Sequence, residues 1–216
     1  IPFNNRPLEM KYLDKIYARA DQLLLHTEYS KQQFSKYYKA KTPINIITQG
    51  FCLKADYKKI DKKKAKDHFG IPEEAIVVLY YGTIRKSKGL DYLIKAVSKA
   101  IRENNKIVLL AGGAFQRIDP KTYEKLLNDN LNKSNYYTNF NFIPMQEEPY
   151  YFSAADMICL PYLEITQSGV AQIGLMYDLP MIASDIGDMK AVIRPGINGE
   201  LVKPRDIDGL ANAILK

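Results

Sequence analysis

This 216-residue sequence lacks most of the patterns that announce common site chemistries. Cysteine occurs twice, as Cys52 and Cys159, far apart and with no CxxC pair. That excludes a disulfide framework and fits a reducing, cytoplasmic setting. Histidine also occurs twice. His26 closes an apolar run and His68 sits in a basic stretch. Neither has a ligand-spaced partner, so each reads as structural or solvated, and no metal site is expected. A divalent ion carried in by a substrate leaves no such mark. No apolar run reaches about 18 residues, so no membrane span is predicted. There is no GxxxxGK[ST] loop, no GxGxxG after an early strand and no GxSxG elbow. These absences remove P-loop hydrolysis, the common dinucleotide fingerprint and Ser-His-Asp chemistry from the candidate functions.

What is present describes a soluble globular chain long enough to bury a core, with 46% hydrophobic and 25% charged residues. The formal charge of +7 favours anionic partners. Much of it lies in one run, "ADYKKIDKKKAKDHFG" (55–70), whose plain reading is a solvated helix or loop face. An anionic membrane surface, touched peripherally from the cytoplasmic side, and anionic substrates are its other readings. The run has no aromatic interleaving, so nucleic acid is not expected. The chain begins "IPFNNRPLEM", without an initiator Met or a signal-peptide pattern; a fragment and a processed terminus both account for this.

Periodicity divides the rest. Residues 1–49 carry a helix around "EMKYLDKIYARA", short apolar runs at 22–26 and 44–47, and a helix capped near Thr27. Together they read as the end of one α/β unit. From about residue 70, "AIVVLYYG", "KIVLLAGG", "YYTNFNFIP", "DMICLP", "LPMIAS" and "NGELV" read as strands. Helices at 89–104, 120–133, 147–155, after Ser168 and near the end alternate with them. Near-continuous apolar strands alternating with amphipathic helices imply a parallel sheet covered on both faces, an α/β Rossmann-like domain. Ligands of such sheets sit beyond the carboxyl ends of the strands. Gly82, the Gly112–Gly113 pair, Pro161 and the 164–169 stretch all follow strands and are expected on that edge.

Two groups there carry chemistry. In "YYGTIRKSKGLDYL" (80–93), Arg85 and Lys88 lie between a strand ending at Gly82 and the next helix, placed to neutralise a diphosphate or simply exposed. In "EITQSGVAQIG" (164–174), Ser168 starts a helix whose free N–H groups attract an anion, and Gly169 permits close approach. Ordinary capping explains Ser168 equally well. An anion held between the helix end and both cations is the coherent combination. Glu164 lies in the loop before Ser168, where it can meet a sugar hydroxyl or solvent.

With these residues assembled, the chain resembles the retaining glycosyltransferases of the GT-B class, family 4. The matching segments are "GTIRKSKGLDYLIKA", "VLLAGG", "FIPMQEEPYYFSAADMICLPY", "TQSGVAQIGLMYDLPMIASDIG" and "VIRPGINGELVKPRDIDGLANAI", in the family's order over 76–215. The resemblance implies one half of a GT-B fold. Residues 50–216 would be the nucleotide-sugar donor-binding domain, truncated at its C-terminus. Residues 1–49 would be the tail and linker of a preceding acceptor-side domain. It further implies that Arg85 and Lys88 hold the diphosphate of a UDP- or GDP-linked sugar and stabilise the leaving charge, with Glu164 a third catalytic candidate. Gly82, Thr166, Gln167, Ser168 and Gly169 would line the donor, and the backbone of Phe142, Ile143 and Pro144 would lie near the base. The implied partners are a nucleotide sugar and a glycan or lipid-linked acceptor, with no tightly bound cofactor or metal. An inactive fragment that still binds nucleotide is expected, since most of the first domain is missing.

The chain departs from that family's pattern. Counting back from Pro180, Ile165 and Ile173 stand where two glutamates are usual, and Ala191 replaces a third. The sequence is thus a "TQSGV" subtype. A non-catalytic Rossmann-like binding or interaction module is the alternative, with a sugar-nucleotide epimerase domain behind it. Activity of a full-length parent separates the first two. An epimerase needs acid–base residues in the cleft, and only Glu164 is available.

Overall fold

The computed structural model describes residues 7–47, 59–165 and 167–216, which fall into two compact units, 1–52 and 53–216. The first holds α1 (Pro7–Tyr17), β1 (Leu23–Leu25), α2 (Glu28–Tyr37) and β2 (Ile44–Ile46), with β1 and β2 parallel. Thr27 caps α2 through its side chain, which accepts from Ser30 N at 3.0 Å. Phe34 and Tyr38 are buried and pack edge-on against the Tyr17 ring. Asp14 Oδ1 accepts from Lys39 N and Ala40 N, which ties α1 to the end of α2.

The second unit runs α3 (Lys62–Phe69), β3 (Ile76–Tyr81), α4 (Leu90–Glu103), β4 (Ile107–Gly112), α5 (Pro120–Asn130), β5 (Tyr136–Asn139), α6 (Glu148–Ala154), β6 (Met157–Leu160), α7 (Gly169–Met176), β7 (Met181–Ser184), α8 (Met189–Val192), β8 (Gly199–Val202) and α9 (Ile207–Ile214). Local chemistry sets several boundaries. Asp61, Asp119 and Asp206 each cap a helix by accepting a backbone N–H.

The six strands form one parallel sheet in the order β5-β4-β3-β6-β7-β8. Period-two alternation divides its side chains between two cores. Val77, Leu79, Val108, Leu110, Ile158, Leu160, Met181 and Ala183 face the layer containing α3, α6 and α7. Val78, Tyr80, Ile107, Leu109, Cys159 and Ile182 face α4, α5 and α9. Cys159 is a free, buried thiol, pushed up by burial alone. This is the expected α/β Rossmann-like domain, with helices on both faces.

One strand is shorter than its apolar run predicts. The pattern at 136–144 extends through Pro144, but β5 ends at Asn139, opposite Gly112 where its neighbour β4 also ends. An edge strand lasts only as long as its one partner, so residues 140–147 become a loop.

The basic run is less free than its charge suggests. Among its described residues, Lys59 pairs with Asp178, Lys62 with Asp156 at 2.5 Å and Lys63 with Glu73 at 2.8 Å. Lys66 is buried and donates to the carbonyls of Glu73 and Ala75. His68 pairs with Glu147 at 2.9 Å and stacks on Tyr150. Much of this charge is therefore spent on acids and carbonyls of the same unit. Among the described residues no helix is long and apolar enough to cross a membrane.

Candidate functional site

In the sheet order, the chain starts centrally at β3, winds outward through β4 to β5, then returns to β6 on the other side of β3. Neighbouring strands β3 and β6 therefore send their following helices to opposite faces, α4 to one and α7 to the other. The loops diverging between them open a crevice at the carboxyl edge, the switch point of a doubly wound sheet. These are the loops that carry Arg85 with Lys88 and Ser168 with Gly169.

The two loops are joined directly. Leu163 N donates to Ser87 O at 2.8 Å. Gly89 adopts φ +67°, and a Cβ there would lie 1.9 Å from Pro161 O, so only glycine lets the chains approach this closely. Arg85 precedes a single 3-10 turn, Lys86–Lys88, and is exposed. It lines a cavity of about 460 Å³ with Lys86, Ser87, Gln116, Arg117 and Ile118. Lys88 is half-buried, with its ammonium 3.6 Å from the centroid of the Tyr162 ring. Burial first, and the Arg85 charge second, lower its pKa from the usual lysine value to about 8.

Ser168 is buried and is the N-cap of α7, its Oγ accepting from Ala171 N at 3.2 Å. The same Oγ lies 3.3 Å from the Tyr162 hydroxyl. Capping is thus a fact of the fold, and it leaves the exposed start of α7 open at the crevice. Gly169 is exposed, and a Cβ built on it meets nothing within 4 Å. Its lack of a side chain answers to no contact within the protein.

The remaining candidates spread along the same edge. Gly82 N donates to Gly112 O at 2.9 Å, extending the β3–β4 ladder past the strand end. Glu164 is exposed in the β6–α7 loop and Gln167 is half-buried beside Ser168, while Thr166 lies outside the described residues. Phe142 is 79% exposed on the β5–α6 loop, Ile143 is buried and Pro144 is exposed. That loop stands two strand spacings from β3, about 10 Å. Ile165 and Ile173, at the positions of the missing glutamates, pack against the α6–α7 core layer as partly buried apolar residues.

Two groups escaped the sequence reading. Arg117, held at φ 58°, adds a third cation to the Arg85 cavity. Its signal was only a basic residue soon after a strand-ending glycine pair. Tyr162 follows Pro161 at the end of β6 and touches both halves of the crevice. Its position after the strand was readable, but its partners were not.

Comparisons with known proteins bear on the family and the fold. Residues 75–216 match the family of glycosyl transferases group 1. The D-inositol 3-phosphate glycosyltransferase of Mycolicibacterium smegmatis is 27% identical over 216 residues, covering 96% of this chain and 48% of its own length. The chain thus spans about half the length of the curated relatives it matches. Among solved structures, HepE of Anabaena in complex with UDP superposes with a TM-score of 0.84 at 17% identity, covering 99% of this chain and 58% of that one. Sucrose-phosphate synthase of Thermosynechococcus elongatus gives 0.82 at 22% identity, covering 97% and 52%. At these identities the superpositions speak for fold: one domain of a GT-B architecture.

Proposed function

Because the chain belongs to the glycosyl transferases group 1 family, we propose that it is the donor-binding part of a retaining GT-B glycosyltransferase, taking a UDP- or GDP-linked sugar. In the complete enzyme the sugar passes to a glycan or lipid-linked acceptor. The observation that carries this reading is the meeting of the Arg85/Lys88 loop and the start of α7 at one switch point, tied by the Leu163–Ser87 hydrogen bond. Two cations and a helix N-terminus on two loops joined at one switch point suit a diphosphate, and the same groups stabilise the charge that develops as it leaves. UDP in the HepE complex supports the donor class. The exposed Phe142 ring and the loop that follows β5 offer the base a surface. Residues 1–49 are proposed as the tail and linker of an acceptor-side domain, and the isolated chain as a binder with little transferase activity.

Calorimetry of the 216-residue chain with UDP, GDP and ADP tests the reading. Saturable binding of UDP or GDP is expected, and a folded chain that binds neither removes it. Two further outcomes follow from the geometry. Gly169→Ala has room for its methyl group and favours the helix, so the melting temperature should hold or rise slightly. Nucleoside diphosphate affinity should nevertheless fall at least about tenfold, because the methyl group occupies the phosphate's approach to the N–H groups. Unchanged affinity would place the phosphate elsewhere.

The second outcome concerns pH. Lys88 is charged below its lowered pKa of about 8 and neutral above it, so the attraction is complete near neutrality and is lost as pH rises. Affinity should drop by up to about tenfold between pH 7 and 9, with proton uptake on binding near the upper end. Lys88→Arg, which stays charged throughout, should flatten the profile.

A further inference from the structure

Tyr162 joins the two halves of the crevice through one side chain. It is 1% exposed, and its ring and hydroxyl point to different partners. The ring face receives the Lys88 ammonium at 3.6 Å from the centroid. The hydroxyl lies 3.3 Å from Ser168 Oγ, which in turn caps α7 through Ala171 N. The backbone on either side is pinned as well, by the Leu163–Ser87 hydrogen bond and by the close approach of Gly89 to Pro161. A tyrosine meets both demands with one rigid body. Phenylalanine supplies the ring without the hydroxyl, and an aliphatic residue supplies neither.

Resting on the donor-binding reading above, we propose that Tyr162 is a positioning residue for the donor diphosphate: its ring holds the Lys88 ammonium and its hydroxyl holds Ser168. Preorganisation is the physical gain. A lysine on a free four-carbon stem loses rotamer freedom when it binds an anion, and one already seated on an aromatic face loses less. The ring also offsets part of the hydration that Lys88 gives up on burial. Arg85 in the same loop is the charge that acts on Lys88, and Tyr162 lies under its ammonium; Tyr162 in turn interacts with Tyr80 on β3, which Asp91 in the first turn of α4 also influences. Burial raises Tyr162 to about 12 and raises Tyr80 as well, so neither tyrosine changes charge between pH 7 and 9. Burial also raises Asp91 from its usual carboxylate value. Lys88 is therefore the group that reports on the ring in that window.

The experiment compares the wild-type chain with Tyr162→Phe and Tyr162→Leu, titrating UDP and GDP between pH 6.5 and about 9.5, around the window set by Lys88. Each variant's melting curve is recorded alongside. Tyr162→Phe keeps the ring, so the pH midpoint of binding should stay in place while affinity falls about threefold to tenfold. Tyr162→Leu should lose more affinity and shift the midpoint down by about half to one pH unit, because Lys88 is left buried without the ring. A simple packing role would weaken binding evenly at every pH. Wild-type affinity in Tyr162→Phe overturns the proposal, and so does an unmoved or raised midpoint in a folded Tyr162→Leu. If the leucine variant does not fold, the phenylalanine variant decides alone. A wild-type chain that binds neither nucleotide overturns the donor reading and this inference together. A binding wild type with indifferent Tyr162 variants overturns this inference only.

Discussion

Replacing both Arg85 and Lys88 by Ala is expected to weaken nucleoside diphosphate binding by about a hundredfold or more, while binding of the parent nucleoside changes little. The asymmetry follows from what each group can reach. Both cations sit in the β3–α4 loop at the switch point, and the exposed Phe142 belongs to a different loop, the one that follows β5. Charge-assisted hydrogen bonds to a phosphate exceed neutral ones, and the partial burial of Lys88 strengthens its share. Arg85 is exposed and contributes the more screened part, so the single variant Lys88→Ala should carry over half of the double effect. Lys88→Ala also removes a charge held at a desolvation cost, so the unliganded fold should not lose stability through electrostatics. Titration calorimetry with the diphosphate and the nucleoside of the same base is the measurement. Equal losses for both ligands would move the diphosphate away from this loop.

Gly89→Ala should be a severely damaging small substitution, because it parts the two loops of the site. Its φ of +67° places the residue in the left-handed region, and its Cβ would lie 1.9 Å from Pro161 O. Backbone strain of this kind costs about 1–3 kcal/mol, and the overlap adds to it because a carbonyl in a pinned loop has little room to yield. The loops must part, and the Leu163–Ser87 hydrogen bond breaks with them. A stability loss of about 3–5 kcal/mol corresponds to a drop in melting temperature of about 10 °C for a unit of this size. Whatever fraction stays folded should bind nucleoside diphosphate poorly, since Lys88 and Ser168 no longer share one frame. Differential scanning calorimetry checks the first part; an unchanged melting temperature would show that the loops separate without cost. The contrast with Gly169→Ala is instructive. The two glycines look alike in the sequence, yet one is required by the fold and the other has empty space in front of it.

The sequence by itself determined the alternation of strand and helix, several boundaries and the edge on which a ligand would lie. These are local properties. The continuous apolar run "IVVLYY", helical spacing in Leu90, Leu93, Ile94 and Val97, and the side-chain cap at Thr27 act within a few residues, so they are readable in order along the chain. Their shared place beyond the strand ends drew Arg85, Lys88, Ser168 and Gly169 into one hypothesis, to which the family resemblance added, but spacing alone left each with an ordinary explanation. Only the tertiary structure decided that β3 and β6 are neighbours, because strand order depends on burying both sheet faces and on how the crossovers close. That adjacency brings the two loops together, seats Lys88 on Tyr162 and turns the Ser168 cap into part of a larger contact. Pairing with β4 likewise ends β5 at Asn139, where that single neighbour stops. Local sequence wrote the elements; the pairing of distant strands chose which of their ends would meet.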